Sequence, residues 1–204
     1  MKLYHSPTSP FARKVRMVLL ETGLDAGVEK QVGSGTPVDP GQAPLTENPL
    51  GKIPVLTRRD GPPIYDSRVI CRYLDARAQA GLYPAEPDLW EVLTAEALAD
   101  GIMEAAVLMV YETRVRPEEL RFTPWVEGQW AKIDRSLGDL NSRWIMWLNR
   151  PMTMGHIAVA CALGYLDFRH PARNWRASYP DLAQWFEGFA TRDSFVTTTP
   201  PQAT

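Results

Sequence analysis

Cysteine is scarce. Cys71 and Cys161 are the two in 204 residues, each lies in an apolar helical stretch, and no CxxC pair occurs. That count excludes a disulfide-stapled secreted scaffold and points to a reduced, cytoplasmic setting. Excess charge is missing too. A net charge of -2 and a pI near 5.9 give no basic field for nucleic acid or an anionic membrane surface. Arg13, Lys14 and Arg16 form a local basic cluster that reads as a solvated helix face. Of the three histidines, His5 and His170 have no acidic or cysteine partners at ligand spacing, so no metal site is expected. The longest apolar run, IAVACALGYL at 157–166, is too short to cross a bilayer, and MKLYHSPTSP lacks the apolar core of a signal peptide. There is no internal repeat, and no low-complexity block outside the tail VTTTPPQAT, which is expected to be disordered.

What is present is an ordinary globular composition, 45% hydrophobic and 23% charged. Short strands alternate with helices over residues 1–80: Leu3 and Tyr4, then VEKQV at 28–32, PVLT at 54–57, and a fourth near IYD. Asp-Gly within RRDGPP predicts a tight turn, hence antiparallel pairing at one edge of a mixed sheet. A proline-punctuated linker at 80–89 ends the strand signal, and residues 87–204 read as all-helical. Helices are expected over about 89–115, 118–148 with an adjustment at Pro124, 153–168 and 180–191. The fold class is therefore α/β followed by all-α.

Three stretches can carry chemistry, and each has a plainer reading beside it. Ser9 and Pro10 open an amphipathic run, where serine is a preferred N-cap and proline suits the first helical position. Pro54 in ENPLGKIPVL marks a strand start, and a cis peptide there would leave the Ile53 backbone open to a ligand. Asp66 and Ser67 precede a helix with Val69, Ile70, Tyr73 and Leu74 on its inner side. They are capping residues, or an anion site formed with the helix N–H groups and dipole.

Taken in order, TSPFARKVR, NPLGKIPVL, the Asp66-Ser67 pair and IAVACALGYLDFR resemble a cytosolic glutathione S-transferase of the bacterial serine type, over essentially the whole chain. The resemblance implies a thioredoxin-like N-terminal domain (1–80) and a helical-bundle C-terminal domain (87–204), the latter with the second-substrate site. It implies glutathione as co-substrate with no further cofactor, a small hydrophobic electrophile as second substrate, a role in detoxification, and a homodimer with its partner against ALADGIMEAAVLMVYE at 97–112. It assigns Ser9 as donor to the glutathione sulfur and Phe11 and Lys52 as glutathione neighbours. Ile53 is to pair its backbone with the tripeptide beside a cis Pro54, Asp66 and Ser67 are to hold the γ-glutamyl group, and Tyr111 is to face the second substrate.

A serine hydroxyl donates and does not exchange disulfides, so chemistry through a protein thiolate is disfavoured at this position. Thr8 is the donor instead if the helix begins one residue earlier. A non-catalytic binding module, or a glutathione-dependent peroxidase or dehalogenase, are alternative uses of the same fold. One departure stands out. Helices at the place of MTMGHIAVA in this family open with Ser or Thr and an acid three residues on; here Thr153 is followed by His156, which predicts a weakened, acid-sensitive cap.

Overall fold

The computed structural model describes residues 1–201, which divide into two compact units: Met1–Pro84 together with the chain from Asp193 on, and Ala85–Arg192. The first unit is built on a four-stranded sheet of β1 (Lys2–His5), β2 (Glu29–Val32), β3 (Val55–Arg58) and β4 (Gly61–Ile64), in the order β2-β1-β3-β4. β1 runs parallel to β2 (Leu3 opposite Lys30) and antiparallel to β3 (Leu3 opposite Leu56), and β4 returns antiparallel to β3. Leu3, Val55 and Leu56 are sealed at its centre, and α1 (Pro10–Glu21) and α2 (Ser67–Ala78), packed on each other, bury Val15, Val18, Ile70 and Leu74. This is the thioredoxin-like layer expected from the sequence. β4 begins earlier than the IYD stretch suggested because Pro62 and Pro63 lie on an edge strand, where a missing N–H costs little.

α1 ends in a Schellman motif. Gly23, at φ +69°, donates to the Leu20 carbonyl and Leu24 to that of Leu19, a backbone that glycine adopts without strain.

The second unit is helical: α3 (Leu89–Arg114), α4 (Thr123–Ser142), α5 (Ile145–Leu148), α6 (Met154–Arg169), α7 (Trp175–Ser178) and α8 (Pro180–Phe189). α6 is its core, buried at every position from Met154 to Leu166. It lies along α3 in the same direction. Gly155 sits against Val92 and Ala95 at one end, where a Cβ would collide with the Trp147 ring, and His170 meets the Ala106 carbonyl at 2.9 Å further along. The long helix expected over 118–148 is broken. Pro124 sits in the first turn of α4, where no N–H is needed, and α4 ends where the Trp144 indole and backbone N–H both turn back onto Asp139.

Two expectations are corrected. Residues after Asp193 form a short helix, α9 (Asp193–Thr197), that packs on α1 within the first unit; the last three residues of the tail, 202–204, lie outside the described residues. The basic cluster is not a solvated stripe either: Arg13 is 3% exposed, Lys14 fully buried and Arg16 half-buried. The Arg13 guanidinium donates to the Phe195 carbonyl (2.9 Å) and Thr198 Oγ1 (3.3 Å) and stacks 3.8 Å over the Phe195 ring. Ser194 closes the other end of α1 through Glu21 at 2.5 Å. No described helix is long and apolar enough to cross a membrane.

Candidate active site

Strand direction gathers the candidate residues of the first unit. Tyr4 pairs with Val55 and Leu56 with Ile64, so the C-terminal end of β1, the N-terminal end of β3 and the C-terminal end of β4 share one edge of the sheet. Out of that edge come Ser9 with Phe11, then Lys52 to Pro54, then Asp66 and Ser67.

Ser9 is the N-cap of α1, in extended geometry, with Oγ accepting the Ala12 N–H at 3.2 Å. The hydroxyl therefore keeps its own proton to donate. The first turn of α1 holds no acid, so nothing on the helix itself offsets the positive end of its dipole. The helix begins at Pro10, not one residue earlier, and the Thr8 hydroxyl sits 3.1 Å from that of Ser6. Phe11 is half-buried in the first turn.

The Ile53–Pro54 peptide is cis, Pro54 is buried, Ile53 is half-buried and Lys52 is exposed. The loop is held by a residue the sequence reading passed over. Asn48, buried, donates to the Lys52 carbonyl at 2.9 Å and accepts from the Leu50 N–H at 3.1 Å. Asn-Pro ahead of a Gly-containing loop was the available signal.

Asp66 caps α2, its Oδ1 accepting from the Arg68 N–H at 3.0 Å. It is exposed, whereas Ser67 is 2% exposed, so the carboxylate is the member of the pair that faces solvent. His5, ending β1, is buried with Nδ1 unpartnered; burial, then the charges of Arg16 and Lys30, push its pKa below the usual imidazole range. No group of three or more described His, Cys, Asp or Glu could hold a metal.

Tyr111 lies half-buried on α3, in the second unit. That unit also has a cleft of about 650 Å³ bordered by Met152, His156, Trp185 and Phe189, and none of the predicted site residues lines it. His156 fills the acid's place in the cap of α6: its Nδ1 accepts the Thr153 N–H at 3.1 Å and the capping box is complete. The weakened cap is thus corrected. A neutral imidazole accepts as a carboxylate does, and the ring is held 4.3 Å from Trp147 in a stacked pair. Burial pushes its pKa down to about 4, with the Trp147 and Leu148 carbonyls opposing only in part.

A thioredoxin-like unit presenting a hydroxyl-capped helix, a cis-proline loop and an Asp-Ser helix start, followed by an α-helical unit, defines a glutathione-transferase-like class of protein. Comparison with known proteins agrees. The family model for the glutathione S-transferase N-terminal domain matches residues 3–81, and that for the C-terminal domain matches residues 123–188. An uncharacterized GST-like protein of Escherichia coli (strain K12), YibF, is 36% identical over the full length of both chains. A Pseudomonas fluorescens Pf-5 glutathione transferase family member, solved with bound glutathione, is 44% identical over 98% of both chains with a TM-score of 0.95. A second structure described the same way, solved with S-(propanoic acid)-glutathione, is 43% identical over 98% of this chain and all of that one, TM-score 0.91. The chain belongs to the glutathione S-transferase family.

Proposed function

We propose that this chain is a glutathione transferase that binds the tripeptide on its first unit, holds the thiol as thiolate at the mouth of α1, and directs it at an electrophilic carbon of a small molecule. What carries the reading is the likeness, over 98% of both chains, to a relative that holds glutathione, together with an uncompensated helix start whose cap retains a donatable proton. That a close relative accommodates a glutathione substituted at sulfur supports room for a second substrate there.

The energetics are sufficient. A free thiol near pKa 8.5 is only a few per cent ionised at neutral pH, and bringing it to about 6.5 needs roughly 2–3 kcal/mol. A helix N-terminus supplies about 0.3–2 kcal/mol and a hydrogen bond to a charged group about 1.5–3. In this reading Ser9 donates to the sulfur and Ile53 pairs its backbone with the cysteinyl part beside the cis Pro54. Asp66 and Ser67 take the γ-glutamyl ammonium and carboxylate, Lys52 and Phe11 border the tripeptide, and Tyr111 faces the electrophile. The chain works in the cytoplasm, in detoxification, as a homodimer. On α3, Ala97, Gly101, Glu104 and Leu108 form an exposed stripe on which a second copy packs. Leu108→Glu is expected to leave a monomer in analytical ultracentrifugation; an unchanged dimer would remove α3 from the interface.

The reading is tested by retention on immobilised glutathione. The parent binds, Asp66→Ala binds about tenfold more weakly, and the parent turns over 1-chloro-2,4-dinitrobenzene. Binding without turnover across a broad electrophile panel would make the chain a binding module instead.

A further inference from the structure

The last segment of the chain comes back to the first unit and closes on α1. Arg13, Met17 and Glu21 follow one another at intervals of four and so share one helix face. α9 and the residues just after it take both ends of that face. Ser194 donates to the Glu21 carboxylate at one end. About two turns back, roughly 12 Å along the axis, the Arg13 guanidinium is gripped by three residues. Its Nη2 donates to the Phe195 carbonyl at 2.9 Å and reaches Thr199 Oγ1 at 3.5 Å, its Nε donates to Thr198 Oγ1 at 3.3 Å, and its plane lies 3.8 Å over the Phe195 ring. Thr198 is fully buried and gives its own proton to the Ser194 carbonyl at 2.7 Å, so toward Arg13 it is an acceptor.

Sealing a cation in this way costs desolvation that an aliphatic side chain at the same position would avoid. What a guanidinium adds is direction. A planar fork held by a carbonyl, a hydroxyl and a ring limits how far α1 can turn about its axis or slide along it, which an apolar contact does not. The grip falls where the cap is made. The Arg13 N–H donates to the Ser9 carbonyl at 3.0 Å, closing the turn that Ser9 opens, and the neighbouring Ala12 N–H donates to Ser9 Oγ at 3.2 Å. The backbone of the cap and the side-chain hold of the C-terminal segment therefore meet at one residue.

We propose that Arg13 is a positioning residue of the glutathione site: held by Phe195 and Thr198, it sets the angle at which the first turn of α1 presents the Ser9 hydroxyl to the sulfur. The C-terminal segment, to which no contact with glutathione is assigned, thereby takes part in activating the thiol. The inference rests on the glutathione reading and adds to it the part of the chain that aims its donor.

The test is the titration of the thiol in the glutathione complex of the full chain, followed by thiolate absorbance. A loss of stability lowers the folded fraction and leaves unmoved the pKa of a thiol bound to the folded remainder, so a grip that serves folding alone does not shift this readout. Arg13→Lys keeps charge and stem and loses the fork; Thr198→Val keeps the shape and loses the acceptor. Each is expected to raise the pKa of the bound thiol by about half a unit to one unit, part of what removal of the Ser9 hydroxyl gives. Thr198→Ser is expected to restore the parent's value. In a Ser9→Ala background Arg13→Lys is expected to add nothing, because the donor it aims is gone. Should Arg13→Lys fail to fold, Thr198→Val takes its place in that background. A thiol that titrates as in the parent in the folded variants overturns the positioning role and leaves the grip to folding. A shift of full size in the Ser9→Ala background overturns it as well, since the grip would then act without Ser9. A parent that binds no glutathione in calorimetry overturns the glutathione reading, and this inference falls with it.

Discussion

Two helices of this chain start on a hydroxyl and close their caps differently. At α6 the Thr153 cap is closed: His156 returns to the Thr153 N–H, the ring stacks on Trp147, and the turn is buried. At α1 the Ser9 cap is open, with Ala12 where a closing acid would stand, no acid in the first turn, and a half-buried hydroxyl. A closed box satisfies its own donors and contributes to folding. An open one leaves N–H groups and a positive dipole end for something else to satisfy, which is what an anion-binding helix start requires. In the proposed reading the same residue class is a structural device in one place and a site in the other, and what separates the two caps is the third residue after each, Ala12 against His156.

The largest effect that would break this contrast lies at α6. The folded His156 titrates at about 4 against about 6.5 unfolded. A lowered folded pKa means that stability is fully present above the unfolded value and is lost as pH falls from 6.5 through 4. The total is roughly 3 kcal/mol. His156→Gln keeps an acceptor at the same place and does not titrate. Urea unfolding of parent and variant at pH 7 and 4.5 is therefore expected to show the parent losing about 2–3 kcal/mol more than the variant. Parallel pH curves would mean that the ring is not held neutral and that the box of α6 is no more closed than that of α1.

How much of this was legible depends on how local the causes are. Ser9, Pro54 and Asp66 were readable because a cap, a cis proline and a helix start are written within a few residues. Arg13 was misread as solvated because its acceptor, the Phe195 carbonyl, is 182 residues away. The break between α4 and α5 follows from Trp144 turning onto Asp139, a side-chain bond that periodicity does not contain. For His156 the acid sensitivity is legible in the sequence and the strength of the cap is not, since the burial that keeps the ring neutral comes from packing by Trp147 and its surroundings.

The smaller effect sharpens the contrast at α1. Ser9→Ala removes a cap and, with it, the proposed donor to the sulfur. The cap alone costs about 1 kcal/mol of stability. The donor is worth about 1.5–3 kcal/mol to a thiolate, so the bound glutathione thiol is expected to titrate about 1–2 units higher in the variant. The thiolate's ultraviolet absorbance, followed against pH in the glutathione complex, reads that shift apart from stability. Ser9→Thr restores an oxygen at the cap and is expected to recover most of it. Thr8→Ala is the control: α1 begins at Pro10 and the Thr8 hydroxyl faces Ser6, so its removal should leave the titration in place. A thiol that titrates alike in parent and Ser9→Ala, or that moves in Thr8→Ala instead, would reduce Ser9 to a cap and make the start of α1 no different in kind from that of α6.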